Sequence, residues 1–160
     1  MRRGEKWVLG LIAATVVVLM AWNAWKQTQS SKTDHRIPFY STATPELAHS
    51  GSELYREQQC KRCHSLWAVR DMMQFVPAPA LDGIGSLRDE EWLFGYLSAP
   101  DPQSILPSRL KPEYRMPSFA DLSAEDRHTL AAYLASLKVE DWYLDETRKA
   151  ECRKLTGKEC

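Results

Sequence analysis

The spacing of apolar positions predicts a mainly helical protein. Near the C-terminal end, one apolar helical face at i, i+3, i+4 and i+7 is formed by Leu130, Tyr133, Leu134 and Leu137. Ser123 precedes this stretch with Asp126 three positions on, the pattern of a helix N-cap, and therefore predicts where the helix begins. The tail beyond Val139 is rich in charge and is predicted to be helical until Gly157.

Two further helices are predicted upstream. One begins near Gly51 and runs into the first pair of cysteines. The other carries an apolar stripe, with Ser86 as its N-cap, Asp89 at the third helical position and Pro100 at its end; the stripe consists of Trp92, Leu93, Tyr96 and Leu97. Five of the nine prolines then fall at positions 100, 102, 107, 112 and 117, which predicts an irregular, stiffened loop. The predicted fold class is all-α, with loops long enough to wrap a ligand.

The N-terminal 25 residues differ in composition from the rest. An uncharged stretch runs from Trp7 to Trp22 and on to Trp25. As a helix it would be about 24 to 28 Å long, close to the roughly 30 Å of a bilayer core, with tryptophans at both interfaces. We therefore predict that residues 1–25 form an uncleaved single-pass anchor in contact with membrane lipid. The alternative is a cleaved signal peptide, whose best site, after Ala24, would place the bulky Trp22 at −3.

Composition and organisation limit the function further. The 160 residues carry 21 basic and 21 acidic side chains, so the formal net charge is zero and no basic tail suggests a nucleic-acid partner. Residues 26–49 are polar without helical or strand periodicity and are predicted to be a tether. Residues 50–138 are predicted to form the folded domain, and residues 139–160 a C-terminal extension.

One motif carries specific chemistry: Cys60-Lys61-Arg62-Cys63-His64. Two thiols three positions apart can add to the two vinyl groups of a haem, and the next residue can present its imidazole to the iron. A thioredoxin-like pair would require a βαβ pattern, and a zinc knuckle would require a second ligand pair at matching spacing. A structural disulfide would explain the cysteines and leave the histidine without a role.

The segment from about Gly51 to Leu137, roughly 87 of the 160 residues, resembles a class I cytochrome c. The family's glycine and aromatic residue before the cysteines resemble Gly51 and Tyr55, with one extra residue before the first cysteine. Its proline-leucine pair resembles Pro79-Ala80-Leu81, and its methionine-proline pair resembles Met116-Pro117. Directly before the proline that matches Pro79, the family often has glycine, whereas this sequence has Ala78. This difference affects the expected geometry of the local loop.

The resemblance implies a class I cytochrome c fold of three to five helices around one covalent haem c. Its implied site consists of Cys60 and Cys63 for covalent attachment, Pro79 as the carbonyl that orients the proximal histidine, and His64 and Met116 as axial ligands. A thioether also suits haem iron chemically. Met72 and Met73 follow Cys63 too closely to reach the opposite haem face, and the rival ligand His128 falls off the apolar face of its helix.

Side chains near these motifs have further expected roles. Trp92 and Tyr96 are candidates for hydrogen bonds to the haem propionates. A mildly positive rim that steers acidic partners would comprise Lys61, Arg62, Arg109, Lys111 and Arg115.

A haem iron with two protein ligands has no open position, so outer-sphere transfer of one electron is the expected function, without catalytic residues. Haem attachment of this kind takes place outside the cytoplasm. The expected location is the bacterial inner membrane, with the haem domain in the periplasm and redox proteins as donor and acceptor. Alternatives are a cytochrome subunit of a membrane reductase or oxidase, as in the small subunit of nitric oxide reductases, and a haem-based sensor with a weak distal ligand.

Cys152 and Cys160 lie outside the resemblance. In an oxidising compartment two remaining cysteines are expected to pair. On an unbroken helix they would be about 12 Å apart, so the chain must reverse between them, and Gly157 is the residue that permits this. The alternatives are a bridge to a partner protein and free thiols.

Overall fold

The computed structural model describes residues 14–23, 37–67 and 76–160. The chain divides into two units, Met1–Ile37 and Pro38–Cys160. In the first unit, residues 14–23 are helical and exposed. Among the described residues, no helix has both the length and the apolar composition needed to cross a bilayer. Most of the predicted anchor, residues 1–25, lies outside the described residues.

The second unit is mainly helical, as predicted. Its helices are α1 (Pro45–Glu57), α2 (Glu90–Ser98), α3 (Ala124–Ser136) and α4 (Leu144–Thr156), and its strands are β1 (Phe39–Ser41) and β2 (Leu137–Val139). Short 3-10 turns lie at Cys60–Arg62, Ile84–Ser86, Pro102–Ser104, Pro112–Tyr114 and Asp141–Tyr143.

The prediction of an all-α fold was incomplete, because β1 and β2 form a small antiparallel sheet in which Phe39 pairs with Val139. The predicted tether, residues 26–49, also includes residues that belong to the folded unit. Its end belongs to β1 and to α1, which is capped by the Thr44 hydroxyl accepting from Leu47 N at 3.3 Å; residues 26–36 are outside the described residues. Strands of three residues are too short to show an alternating pattern, and their partners lie at opposite ends of the domain.

The predicted cap of α3 is confirmed and that of α2 is wrong. Ser123 accepts from Asp126 N at 3.0 Å, as expected for an N-cap. In α2 the cap is Asp89, whose carboxylate accepts from Trp92 N at 2.8 Å. Ser86 instead accepts from Val139 N at 3.1 Å, so its hydroxyl is engaged by β2.

The core lies where α1 crosses α3. Gly51 on α1 faces Tyr133 on α3 so closely that a Cβ added to Gly51 would lie 2.3 Å from the Tyr133 Cβ. All four residues of the predicted apolar face are buried, but only Leu130, Tyr133 and Leu134 are on α3, because the helix ends at Ser136 and Leu137 begins β2. Tyr55 of α1 and Leu93 and Leu97 of α2 complete this part of the core. The α1–α3 crossing therefore depends on the missing side chain of a single glycine.

The C-terminal extension ends in a closed turn. Gly157, the residue predicted to reverse the chain, adopts a left-handed conformation with φ 73° directly after α4. The chain reverses there, and Cys152 and Cys160 are joined by a disulfide with their Cα atoms 6.2 Å apart.

Replacing Gly51 with Ala tests the helix crossing. We expect Gly51→Ala to lower the free energy of unfolding by about 1–3 kcal/mol, because the new methyl group collides with the base of the Tyr133 side chain. Gly95→Ala in α2 is the matched control, since an added Cβ there meets nothing within 4 Å; it should raise stability by about 0.5–1 kcal/mol. Chemical denaturation of the haem-loaded protein measures both. Equal effects of the two substitutions would contradict the proposed close contact.

Candidate functional site

A cavity of about 910 Å³ brings together the residues predicted for the site. Cys60, Cys63, His64, Pro79 and Met116 all lie on its wall. Much of the remaining wall is apolar and comes from three helices and two loops; it includes Ile84, Leu93, Leu97, Phe119, Leu130 and Leu134. A cavity of this size that is mostly apolar with a few grouped donor atoms is typical of a cofactor site.

The cysteine motif lies on a tight turn directly after α1. Gln59 has a φ of 55° and redirects the chain at the end of the helix. Cys63 N and His64 N then both donate to the Cys60 carbonyl, at 3.1 and 2.9 Å. The two cysteines and the histidine are therefore held within a single turn of backbone.

His64 is oriented by hydrogen bonds on its ring and on its backbone. Its Nδ1 lies 2.7 Å from the Pro79 carbonyl oxygen, the contact expected from the family resemblance. Because a carbonyl can only accept, Nδ1 carries the proton and Nε2 keeps its lone pair. Burial lowers the pKa of His64, although the Pro79 carbonyl acts in the opposite direction, so the neutral ring that binds metals is favoured. The Tyr55 hydroxyl donates to the His64 carbonyl at 3.0 Å, which fastens the turn to α1.

The properties of the cysteines do not favour a thioredoxin-like redox pair or a zinc site. Burial raises the pKa of Cys60 to about 11, whereas a reactive redox thiol requires a lowered pKa. Among residues 14–23, 37–67 and 76–160, no group of three or more His, Cys, Asp or Glu side chains could hold a metal ion. Cys152 and Cys160, the other cysteine pair, are linked to each other.

Met116 reaches the cavity from the loop between α2 and α3. Gln103 Nε2 donates to the Met116 carbonyl at 3.0 Å. Ser118 Oγ donates to the Ala99 carbonyl at 2.8 Å, which ties the segment after Met116 to the end of α2. The backbone that carries the thioether is thus held on both sides by side-chain hydrogen bonds.

The other candidate side chains differ in whether they line the cavity. Trp92 and Tyr96 both line the cavity, and their rings stack with centroids 5.1 Å apart; their hydrogen bonds to propionates stay a prediction. His128 is exposed, and its ring stacks on Phe94 with centroids 3.8 Å apart. Met72 and Met73 are outside the described residues.

Residues 48–138, more than half of the chain, match the family model of cytochrome c. The chain belongs to the cytochrome c family. Membership indicates an electron-transfer protein that binds haem c covalently.

A further comparison finds similarity to a larger protein. The chain is 30% identical over 122 residues to cytochrome c oxidase subunit 2 of Alkalihalophilus pseudofirmus. The matched region covers 74% of this cytochrome but only 32% of that subunit, so the chain spans about a third of the relative's length. No solved structure matches the chain.

The residues of the cavity fit a haem c. Cys60 and Cys63 supply two thiols on one turn, and His64 supplies a nitrogen lone pair beside them. Met116 on the same wall supplies a soft sulfur. The apolar helix faces supply the environment that a porphyrin ring requires.

Several residues of the cavity were not predicted. Gln103 has no motif around it, because its contact with the Met116 carbonyl depends on the path of an irregular loop. Glu151, Lys154 and Leu155 of α4 also line the cavity. Their spacing on one face of a helix was the only available indication, and it did not reveal which surface that face covers.

Serine substitutions test the covalent attachment. We expect Cys60→Ser and Cys63→Ser each to reduce haem content sharply, because each removes one of two thioether links. The pyridine haemochrome spectrum and acid-acetone extraction of the purified protein measure the remaining linkage. Cys152→Ser is the control and should retain full haem. Full, non-extractable haem in both single variants would contradict the assignment.

Proposed function

We propose that this cytochrome carries one electron at a time, with His64 and Met116 as the axial ligands of a single haem. The proposal is supported by one observation: His64 and Met116 line the same cavity as Cys60 and Cys63. Bound haem supplies the Fe(III)/Fe(II) couple.

The chain's own residues favour transfer of electrons over reaction with a substrate. The Pro79 carbonyl fixes the His64 ring, so Nε2 is presented to the cavity in one tautomer. The Met116 thioether would occupy the opposite position and raise the reduction potential relative to two histidines. If His64 and Met116 both bind the iron, a substrate would have no site on it. The apolar wall would limit the access of water to a bound haem.

We also propose that residues 1–25 anchor the protein in the bacterial inner membrane and that the haem domain lies in the periplasm. The support is the uncharged stretch with tryptophans at its ends, together with a mode of haem attachment that takes place outside the cytoplasm. Redox proteins in that compartment would then be donor and acceptor.

A second candidate is a fixed subunit of a membrane oxidase or reductase. It is favoured by the similarity to a cytochrome c oxidase subunit 2. An anchor, a linker and one haem domain also resemble the layout of the small subunit of nitric oxide reductases. Purification from membranes in mild detergent discriminates: stoichiometric larger subunits indicate a complex, and a protein that purifies alone indicates a carrier.

Replacing Met116 with Ala tests the distal ligand. We expect Met116→Ala to retain covalent haem, lose the methionine-to-iron absorption band, lower the midpoint potential and allow carbon monoxide to bind the reduced iron. His128→Ala is the control and should leave all four properties unchanged. If the Met116 variant keeps the wild-type spectrum, another residue is the ligand. If wild-type protein already binds carbon monoxide, the sensor alternative is favoured.

Removing the N-terminal segment tests the anchor. Deletion of residues 1–25 behind a cleavable export signal should release a soluble periplasmic cytochrome with an unchanged haem spectrum, because the haem site is built from residues beyond this segment. Fractionation and immunoblotting measure the distribution. Wild-type protein in the soluble periplasmic fraction would contradict the anchor and indicate a signal peptide.

A further inference from the structure

The C-terminal helix α4 lies outside the region that matches the cytochrome c family, residues 48–138, yet it forms part of the haem cavity. The side chains of its less exposed face follow helical spacing; they are Leu144, Thr147, Glu151, Lys154 and Leu155. The last three of them line the cavity. The extension therefore supplies a wall that the family pattern does not include.

Contacts along α4 fix this wall. Glu151 pairs with Arg88 at 3.2 Å, with both side chains largely buried (15% and 25% exposed). Thr147 is buried and packs near Gly83. At the end of the helix, Arg109 Nε donates to the Lys154 carbonyl at 3.2 Å. Carbonyls of the last helical turn lack intrahelical partners, so this bond satisfies one of them.

The same hydrogen bond brings two cationic residues together at the cavity. Arg109 and Lys154 both line it. The Arg109 guanidinium lies over Gly157, where an added Cβ would be 3.1 Å from Nε. No carboxylate among the described residues forms an ion pair with either cation. Two cationic side chains that line one cavity and have no ion-pair partner among the described residues favour an anionic ligand.

The chemistry of haem indicates which anion this is. Its two propionate carboxylates are on the two pyrrole rings that do not carry the vinyl groups. Since the vinyl groups react with Cys60 and Cys63, the carboxylates lie on the opposite side of the ring from those residues. Arg62, between the two cysteines, is therefore at the wrong end of the ring. Arg115 is next to Met116 in the chain and its Nε donates to the Leu110 carbonyl at 2.8 Å, whereas Arg109 is bonded to α4 itself. Within the described part of the chain, the other charged residues on the cavity wall, besides His64, are Glu57, Arg62, Glu113, Arg115 and Glu151.

We propose that Arg109 and Lys154 form the binding site for a haem propionate, with α4 supplying the lysine. The site rests on haem attachment at Cys60 and Cys63. A cation beside a propionate lowers the carboxyl pKa and favours the reduced haem, which carries one positive charge less than the oxidised haem. Glu151 does not oppose this effect strongly, because Arg88 compensates its charge.

Lysine substitutions in the haem-loaded, full-length protein test the site. Lys154→Met should lower the midpoint potential and move the pH-dependent step in that potential upward by about one pH unit, because the propionate loses a positive neighbour. Lys154→Arg should restore wild-type values. Lys149→Met is the matched control, since Lys149 is on the same helix but exposed and paired with Glu146 at 2.9 Å. Glu151→Gln should keep the pH-dependent step, which would exclude Glu151 as its source.

Redox titration from low to high pH measures all four variants, after haem content and thermal melting have shown that each is intact. The inference is overturned if Lys154→Met matches Lys149→Met, if Lys154→Arg shifts as far as Lys154→Met, or if Glu151→Gln removes the step. Each of these outcomes can occur with normal covalent haem and a normal methionine band. Failure of this inference is therefore separable from failure of the proposed ligation, which would appear in the cysteine and Met116 variants.

Discussion

The close contact of Gly51 with Tyr133 is the constraint on which the haem site depends. It sets the distance between α1 and α3 at its minimum, because no side chain separates the two helices at that point. Tyr55 lies one turn further along α1, and its hydroxyl holds the carbonyl of His64. The crossing therefore sets the position of His64, the proposed proximal ligand, relative to α3, which supplies Leu130 and Leu134 to the cavity.

Sequence reasoning predicted those parts of the candidate site that are local in the chain. The spacing of Cys60, Cys63 and His64 is a property of one turn, and the cap at Ser123 is a property of one helix end. Family resemblance added Pro79 and Met116, whose separation from the motif gives no geometric information by itself. The cap of α2 was misplaced because Ser86 and Asp89 are equally good capping residues, and only the tertiary contact of Ser86 with β2 decides between them.

What could not be predicted are contacts between residues distant in sequence. The Arg88–Glu151 pair joins residues 63 positions apart, and neither residue has a motif around it. The β1–β2 sheet likewise depends on bringing the two ends of the domain together. The helical pattern of α4 was visible, but a pattern shows which face is inward and not which surface it covers. A helix as charged as α4 is expected to be exposed. Glu151 is largely buried because it forms an ion pair with Arg88.

The two sides of the proposed haem site are held by different kinds of contact. His64 is on a tight turn, with its ring bound to Pro79 and its carbonyl bound to Tyr55. Met116 has a flexible side chain, and its backbone is held by two side-chain hydrogen bonds, one from Gln103 in the same irregular loop and one from Ser118 to the Ala99 carbonyl at the end of α2. The prolines of that loop restrict its unfolded conformations and so compensate in part for the lack of regular structure. Because fewer core elements fix Met116, local loosening of the domain should displace Met116 from the cavity before His64.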